Sequence, residues 1–175
     1  MNAFSWVSPL VEIRDTNKYG KGIFAKARIS QGTVLMVMGG YILNTEDENS
    51  LGDFATNYNM DFSEEWSYCP RTESDLLLMP QHLINHSCNP NSGFLNAHMI
   101  VAIVDINKDE EITYDYAFVM YSHPDSLLHY ELICKCGAPD CRKKIHESDW
   151  QIKDIQNKYG KFFQPFLRDK FNDGR

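Results

Sequence analysis

Three of the chain's five cysteines sit within eight positions, as Cys134-Lys135-Cys136-Gly137 followed by Cys141. Two thiolates one residue apart, a glycine that permits a tight turn, and a third thiolate five residues on suit one tetrahedral ion. Zinc favours sulfur at about 2.3 Å in closed, four-coordinate structural sites. A fourth ligand must then come from a distance, and Cys88 or Cys69 could supply it. Buried free thiols are the plain alternative, and such tight clustering argues against it. The cluster points to structural zinc and says nothing about a reaction.

Two other segments carry reactive or polar groups in unusual density. Asn85-His86-Ser87-Cys88-Asn89-Pro90-Asn91 places an amide, an imidazole, a thiol and a proline between apolar segments, as a specified loop would. His86 is a conceivable zinc ligand, but Cys88 is the softer donor and the better choice. Tyr114 and Tyr116 lie in Glu111-Ile112-Thr113-Tyr114-Asp115-Tyr116. They would ordinarily be core aromatics whose hydroxyls need partners when buried. Pattern alone makes neither of them catalytic. The segment Lys18 to Ala25 contains Gly-x-Gly, and Ala25 completes the spacing of a dinucleotide fingerprint. That fingerprint requires a helix immediately afterwards. Here Ile29, Gly32, Thr33 and Val34 lead into a strand-like run, so a Rossmann reading fails. The two glycines still allow backbone to approach a ligand closely.

These groups must be positioned by short strands. Residues 10–14 alternate, with Val11 and Ile13 on one side and Glu12 and Arg14 on the other. Residues 33–38 form a continuous apolar run ended by Gly39 and Gly40, and a second run spans Met99 to Val104 before a polar turn, Asn107 to Glu110. Alternation from Glu111 onward predicts a strand with Ile112, Tyr114 and Tyr116 on one face. After residue 146 the pattern turns helical. Ser148 with Gln151 reads as a capping box, Gly160 as a stop, and Ile152, Ile155 and Tyr159 as one face. The aromatic tail of Phe162, Phe163, Pro165 and Phe166 is expected to dock on the core. No internal repeat or low-complexity tract is visible.

Charge narrows the function classes. The chain has 24 acids against 17 Lys plus Arg, a net −7, which argues against a general nucleic-acid binder and favours basic proteins or peptides as partners. Residues 46–75 hold nine of the acids and one base, Arg71, either as a solvated loop surface or as an acidic rim for a Lys-rich substrate. No run approaches the ~20 apolar residues of a membrane span. Met1 to Leu10 has no Lys or Arg and no secretory pattern, so an intracellular location, cytoplasmic or nuclear, is expected. In a reducing compartment five cysteines suggest metal or reactive thiols rather than disulfides.

Taken in order, these segments resemble the SET-domain protein lysine methyltransferases. The resemblance runs over roughly residues 10–145. It rests on Lys18 to Ala25, the Asn85 to Asn91 loop, Glu110 to Tyr116, and Cys134 to Arg142 as the post-SET segment. It implies a mostly β, α+β fold of small sheets with a threaded, pseudoknot-like segment that brings the Asn85 loop beside Tyr116, plus a C-terminal helix. The implied divisions are a SET domain over 1–130, a post-SET zinc segment over 131–147 and a C-terminal extension over 148–175.

The resemblance also implies site residues. Gly20, Lys21 and Gly22 would hold S-adenosylmethionine through their backbone, with Tyr58, Asn85, His86 and Tyr116 also at the cofactor. Cys88 would join Cys134, Cys136 and Cys141 on a structural zinc, leaving Cys69 out. Tyr116 matches the catalytic tyrosine, and Tyr114 the position where Tyr rather than Phe goes with mono- or dimethylation. The implied activity is methyl transfer to a lysine of a basic protein, histone or non-histone. The alternatives are a catalytically inactive, zinc-containing SET-like binding module and a zinc–thiolate redox sensor. The chain departs from the family pattern at Gly39-Gly40, where a Glu often follows the first glycine, and at Gln81-His82-Leu83-Ile84, where Arg-Phe is common before Asn-His. No cysteine precedes residue 69, so a cysteine-rich pre-SET region is not expected.

Overall fold

The computed structural model describes residues 4–16, 20–121 and 131–173, so Lys18 and Tyr19 lie outside the described residues. In chain order the elements are β1 (Trp6–Val7), β2 (Val11–Asp15), β3 (Lys21–Ala25), β4 (Val34–Val37) and β5 (Ile42–Asn44). Two short helices follow, α1 (Thr45–Ser50) and α2 (Asp53–Tyr58), then β6 (Met60–Asp61), β7 (Trp66–Tyr68) and β8 (Asn85–His86). The remainder are β9 (Ser92–Asn96), β10 (Met99–Ala102), β11 (Glu111–Tyr114), β12 (Glu131–Ile133), β13 (Lys144–His146), α3 (Lys153–Tyr159) and α4 (Pro165–Asp173).

Two four-stranded sheets, ordered β1-β4-β10-β9 and β2-β3-β11-β8, enclose the main core. The central strands β4 and β10 read as unbroken apolar runs because both of their faces are covered: Leu35, Met36 and Ile100 are fully buried. At the end of β4 the paired glycines are sterically required. A Cβ on Gly39 would strike the Phe4 carbonyl, and one on Gly40, at φ 131°, would strike the Met79 side chain. In the second sheet β11 pairs antiparallel with β3 and parallel with β8, Thr113 opposite Asn85 and Tyr114 opposite His86. That parallel pairing brings the Asn85 loop beside the tyrosines. The fold is mostly small β-sheets with few helices, as expected.

Several local expectations need correcting. Val11 is buried but Ile13 is 36% exposed, because β2 is an edge strand whose far half leaves the core. The strand carrying Tyr114 ends there. The Asp115 carboxylate accepts the Ala117 N–H at 3.0 Å and caps a 3-10 turn over Tyr116–Phe118, so Tyr116 sits on the turn. The acid-rich stretch is not plain loop. Asn44 accepts the Asp47 N–H at 2.8 Å to cap α1, three acids fill that helix's first turn, and Glu48 and Asp75 are buried.

Ser148 makes no capping bond. A 3-10 turn over Asp149–Gln151 intervenes, and α3 runs only over Lys153–Tyr159, with Gly160 as its C-cap. Ile152 is exposed, while Ile155 and Tyr159 are buried. The aromatic tail does dock: Phe163 is fully buried, its ring 4.8 Å from that of Phe118, and the Gln164 N–H donates to the Phe118 carbonyl at 2.8 Å. It continues into α4, a second C-terminal helix where one was expected. Among the described residues no helix is long and apolar enough to cross a membrane.

Candidate functional site

One cavity of about 740 Å³ opens between the Asn85 loop, the turn after β11, the acid-rich helices and the β12–β13 hairpin. Its volume lies in the ~300–1,000 Å³ range of small-molecule sites. Its wall includes Lys21, Tyr58, Asn85, His86, Tyr114 and Tyr116. Neither Gly20 nor Gly22 lines it; Gly20 is exposed, and Gly22 lies behind Asn85. Gly20 turns the chain at φ 77°. Gly22 is the close-approach glycine: a Cβ there would lie 2.6 Å from Glu111 Oε1 and 3.0 Å from Asn85 Nδ2. The absent side chain leaves room for Asn85 Nδ2 to donate to Glu111 Oε1 at 2.7 Å and to the Lys21 carbonyl at 3.2 Å. The amide of Asn85 is thus aimed by β3 and β11 together.

The tyrosine rings are neighbours, with centroids 5.2 Å apart, although one residue is on the strand and the other on the turn. Tyr114 is buried against Phe94, while Tyr116 packs edge-on to His86 with centroids 5.1 Å apart. Tyr58, 37% exposed at the end of α2, stacks on Phe54 at 5.0 Å. It enters the wall from the acid-rich side.

Beside this cavity the sulfurs of Cys88, Cys134, Cys136 and Cys141 all lie within 4.8 Å of one another. Four thiolates at ordinary zinc–sulfur bond lengths would be separated by about 3.8 Å, and Cys88 and Cys134 are 3.9 Å apart. The donor set therefore fits a structural zinc. Supporting donors surround it: the Arg142 N–H lies 3.4 Å from Cys88 Sγ, and His86 Nε2 lies 3.3 Å from the same sulfur. His86 Nδ1 accepts the Tyr116 N–H at 3.1 Å, so its ring proton belongs on Nε2, facing the sulfur. His86 backs the cluster rather than joining it. Cys69 stays apart, buried near the Ala55 carbonyl, and burial with the nearby Glu48 and Asp61 charges pushes its thiol up to about 12.

A family model for the SET domain matches residues 20–117. The chain belongs to the SET domain family. Its curated relatives include histone-lysine N-methyltransferase TRX1 of Oryza sativa, 39% identical over 92 residues, 47% of this chain and 8% of that protein. Histone-lysine N-methyltransferase ash1 of Drosophila melanogaster is 26% identical over 163 residues, 85% of this chain and 7% of that protein. Human histone-lysine N-methyltransferase SUV39H2 is 24% identical over 155 residues, 74% of this chain and 37% of that protein. The chain thus spans well under half the length of these relatives. Among solved structures, KRYPTONITE in complex with mCHH DNA, H3(1-15) peptide and SAH is similar at a TM-score of 0.55. It is 25% identical, over 77% of this chain and 29% of that one.

In this SET domain several acids of residues 46–75 face the site, as the acidic-rim alternative had it. Glu48, Asp61, Glu64 and Glu65 line the cavity. Burial, and then the Glu48 charge, push the Asp61 carboxyl well above the usual range against the pull of the Tyr121 N–H. Burial raises Glu48 too, while hydrogen bonds from Ser67 and Asn59 oppose the rise. His82, within the stretch where Arg-Phe is common in the family, is pushed down to about 3 by burial, so it stays neutral. Its Nδ1 has no hydrogen-bond partner among the described residues. Asp115 and Arg142 each fell inside a quoted motif, but the sequence reading missed that Asp115 is fully buried and paired with Arg142. Neither motif records a contact between residues so far apart in the chain.

Proposed function

We propose that this chain is an S-adenosylmethionine-dependent protein-lysine N-methyltransferase acting on a basic protein or peptide. The observation that carries the reading is the convergence of Asn85, His86, Tyr114 and Tyr116 on one cavity beside the four-thiol cluster, in a SET domain. The relatives named as histone-lysine N-methyltransferases and the KRYPTONITE complex holding SAH and H3(1-15) peptide support it. The net charge of −7 and the acids around the cavity favour a histone tail or another Lys-rich segment over nucleic acid, even though KRYPTONITE itself was crystallised with DNA.

S-adenosylmethionine, when bound, supplies a methyl on a positively charged sulfur that an amine can take directly. The residues present would hold it on backbone at Gly20, Lys21 and Gly22, on the Asn85 and His86 loop, and against Tyr58. Their remaining task is to prepare the amine. A lysine has an ordinary pKa of about 10.4 and is protonated in neutral water, so it cannot attack. Passing it along the wall that the Tyr114 and Tyr116 rings share desolvates it and favours the neutral form. Tyr116 then orients the nitrogen lone pair toward the methyl, and positioning supplies much of the rate. Tyr114 narrows the same channel, which limits the product to mono- or dimethyl-lysine. The zinc on Cys88, Cys134, Cys136 and Cys141 is structural and sits outside the reaction.

The test is transfer of a labelled methyl from S-adenosylmethionine to the H3(1-15) peptide and to a cell lysate, followed by mass-spectrometric mapping of the labelled lysine. Tyr116→Phe should nearly abolish label while leaving the fold and SAH binding in place. Wild-type protein that binds SAH but labels nothing would mark a binding module, and full activity in Tyr116→Phe would make that ring plain packing.

A further inference from the structure

Tyr116 has no regular strand to hold it, since β11 ends at Tyr114. What fixes it is the residue before it. Asp115 is completely buried, and its Oδ1 accepts the Ala117 N–H at 3.0 Å, which sets the turn that presents Tyr116. A buried carboxylate without a counter-ion would be costly. Arg142 supplies one by a two-armed contact, with Nη1 to Oδ2 and Nη2 to Oδ1, both at 2.6 Å. The third donor, Nε, reaches Asp149 Oδ2 at 2.9 Å in the C-terminal turn, and the Arg142 backbone N–H faces Cys88 Sγ at 3.4 Å. Arg142 directly follows Cys141 and so travels with the thiol cluster. From the other side His86 takes the Tyr116 N–H.

We infer that Arg142 is a positioning residue for methyl transfer: through Asp115 it fixes the turn that aims Tyr116, and so links the thiol cluster to the reacting end of the cavity. The inference rests on the methyltransferase reading above and adds a residue to it. The planar fork of arginine matches both carboxylate oxygens at once, which a lysine ammonium cannot do. A lysine here would keep the charge and lose the orientation. Misplacement of a reacting group by about 1 Å costs on the order of 100-fold in rate.

Arg142→Lys should therefore keep one zinc per chain by metal analysis and bind SAH within about threefold by calorimetry. Amide hydrogen exchange should rise across residues 115–118, and kcat on the H3(1-15) peptide or on the substrate mapped in lysate should fall on the order of 100-fold with the KM for S-adenosylmethionine nearly unchanged. Asp149→Asn, which cuts only the outer arm, should lower the melting temperature and leave kcat and exchange at 115–118 alone. If Arg142→Lys does not fold, Asp115→Asn carries the same readings, because it keeps an acceptor for the Ala117 N–H but weakens the fork. Unaltered kcat and exchange in Arg142→Lys would overturn the proposal. So would a kcat loss that tracks loss of zinc or of SAH binding, or an Asp149→Asn defect as deep as that of Arg142→Lys. Wild-type protein that transfers no methyl counts against the methyltransferase reading instead, and the exchange measurement then decides the role of Arg142 alone.

Discussion

Gly22→Ala is the smallest change that should reach the cofactor pocket from behind. Gly22 is buried in β3 and has ordinary extended backbone, so the effect is purely one of space. The new methyl would lie 2.6 Å from Glu111 Oε1 and 2.8 Å from Thr16 Cγ2, closer than real Cβ contacts allow, and 3.0 Å from Asn85 Nδ2, tighter than nearly all of them. Two of those atoms form the 2.7 Å hydrogen bond that aims the Asn85 amide. Side-chain ends can move, so the fold survives, but the bond cannot keep its place. Overpacking of this kind costs about 1–3 kcal/mol, and a hydrogen bond to a charged group is worth about 1.5–3 kcal/mol. Taking about 1.5 kcal/mol as the share that reaches the ligand, SAH should bind roughly tenfold more weakly. The melting temperature should drop by about 2–4 °C per kcal/mol lost. Calorimetry with SAH and a thermal melt read the two effects separately. In an Asn85→Ala background the binding penalty of Gly22→Ala should shrink, because one of the displaced groups is gone. Wild-type SAH affinity in Gly22→Ala, or an equal penalty with and without the Asn85 amide, would refute the reasoning.

Three further outcomes follow from the same geometry. Cys88→Ser should reduce zinc below one per chain by metal analysis while Cys69→Ser leaves it intact; the reverse would mean that the thiol apart from the cluster is the ligand. Tyr114→Phe should shift the products on the H3(1-15) peptide toward more methyl groups in mass spectra, since loss of the hydroxyl widens the channel, and trimethyl-lysine as the main wild-type product would defeat the assignment. Asp61→Asn should raise the melting temperature at pH 8. The Asp61 carboxyl is held above its ordinary range, so its stabilising contribution is present below the unfolded value and is lost as pH rises through the folded one. The gain over wild type should vanish below about pH 4, and a lower melting temperature than wild type at pH 8 would sink it.

What could be read from the chain without coordinates was whatever depends on neighbours in sequence. The runs at β4 and β10 are apolar throughout because both faces are covered, and the thiols at 134, 136 and 141 are adjacent because one hairpin presents them. The local ends were harder. The switch from strand to turn at Asp115 depends on a buried ion pair with a residue 27 positions away, which no alternation of residue types records. Composition left residues 46–75 open between a solvated loop and an acidic rim, and it could not show the Asn44 cap or the contact of Ser67 with Glu48 at 2.6 Å that fold that stretch against the cavity. The parallel pairing of β8 with β11 lies beyond any pattern argument, because two-residue strands have no periodicity to detect. It was available only through the family resemblance.

The wall made by β12 and β13 gives the thiol cluster a role beside the proposed methyl transfer, which itself needs no metal. Three residue pairs join these strands, and of their side chains only Ile145 is fully buried, while Ile133 is 55% exposed. Such a hairpin has too little apolar area to hold itself in place, and isolated two-stranded ribbons are marginal in water. Yet Leu132, Ile133 and Cys134 line the cavity, and Tyr116 packs against the same small cluster of Cys88, Cys134 and Ile145. Metal binding to four thiolates supplies folding free energy that a core of this size lacks. Cohesion of the hairpin and placement of Tyr116 are then two readings of one event. The thiols shape the pocket by closing its wall, and in the proposed methyl transfer they stay outside the reacting atoms.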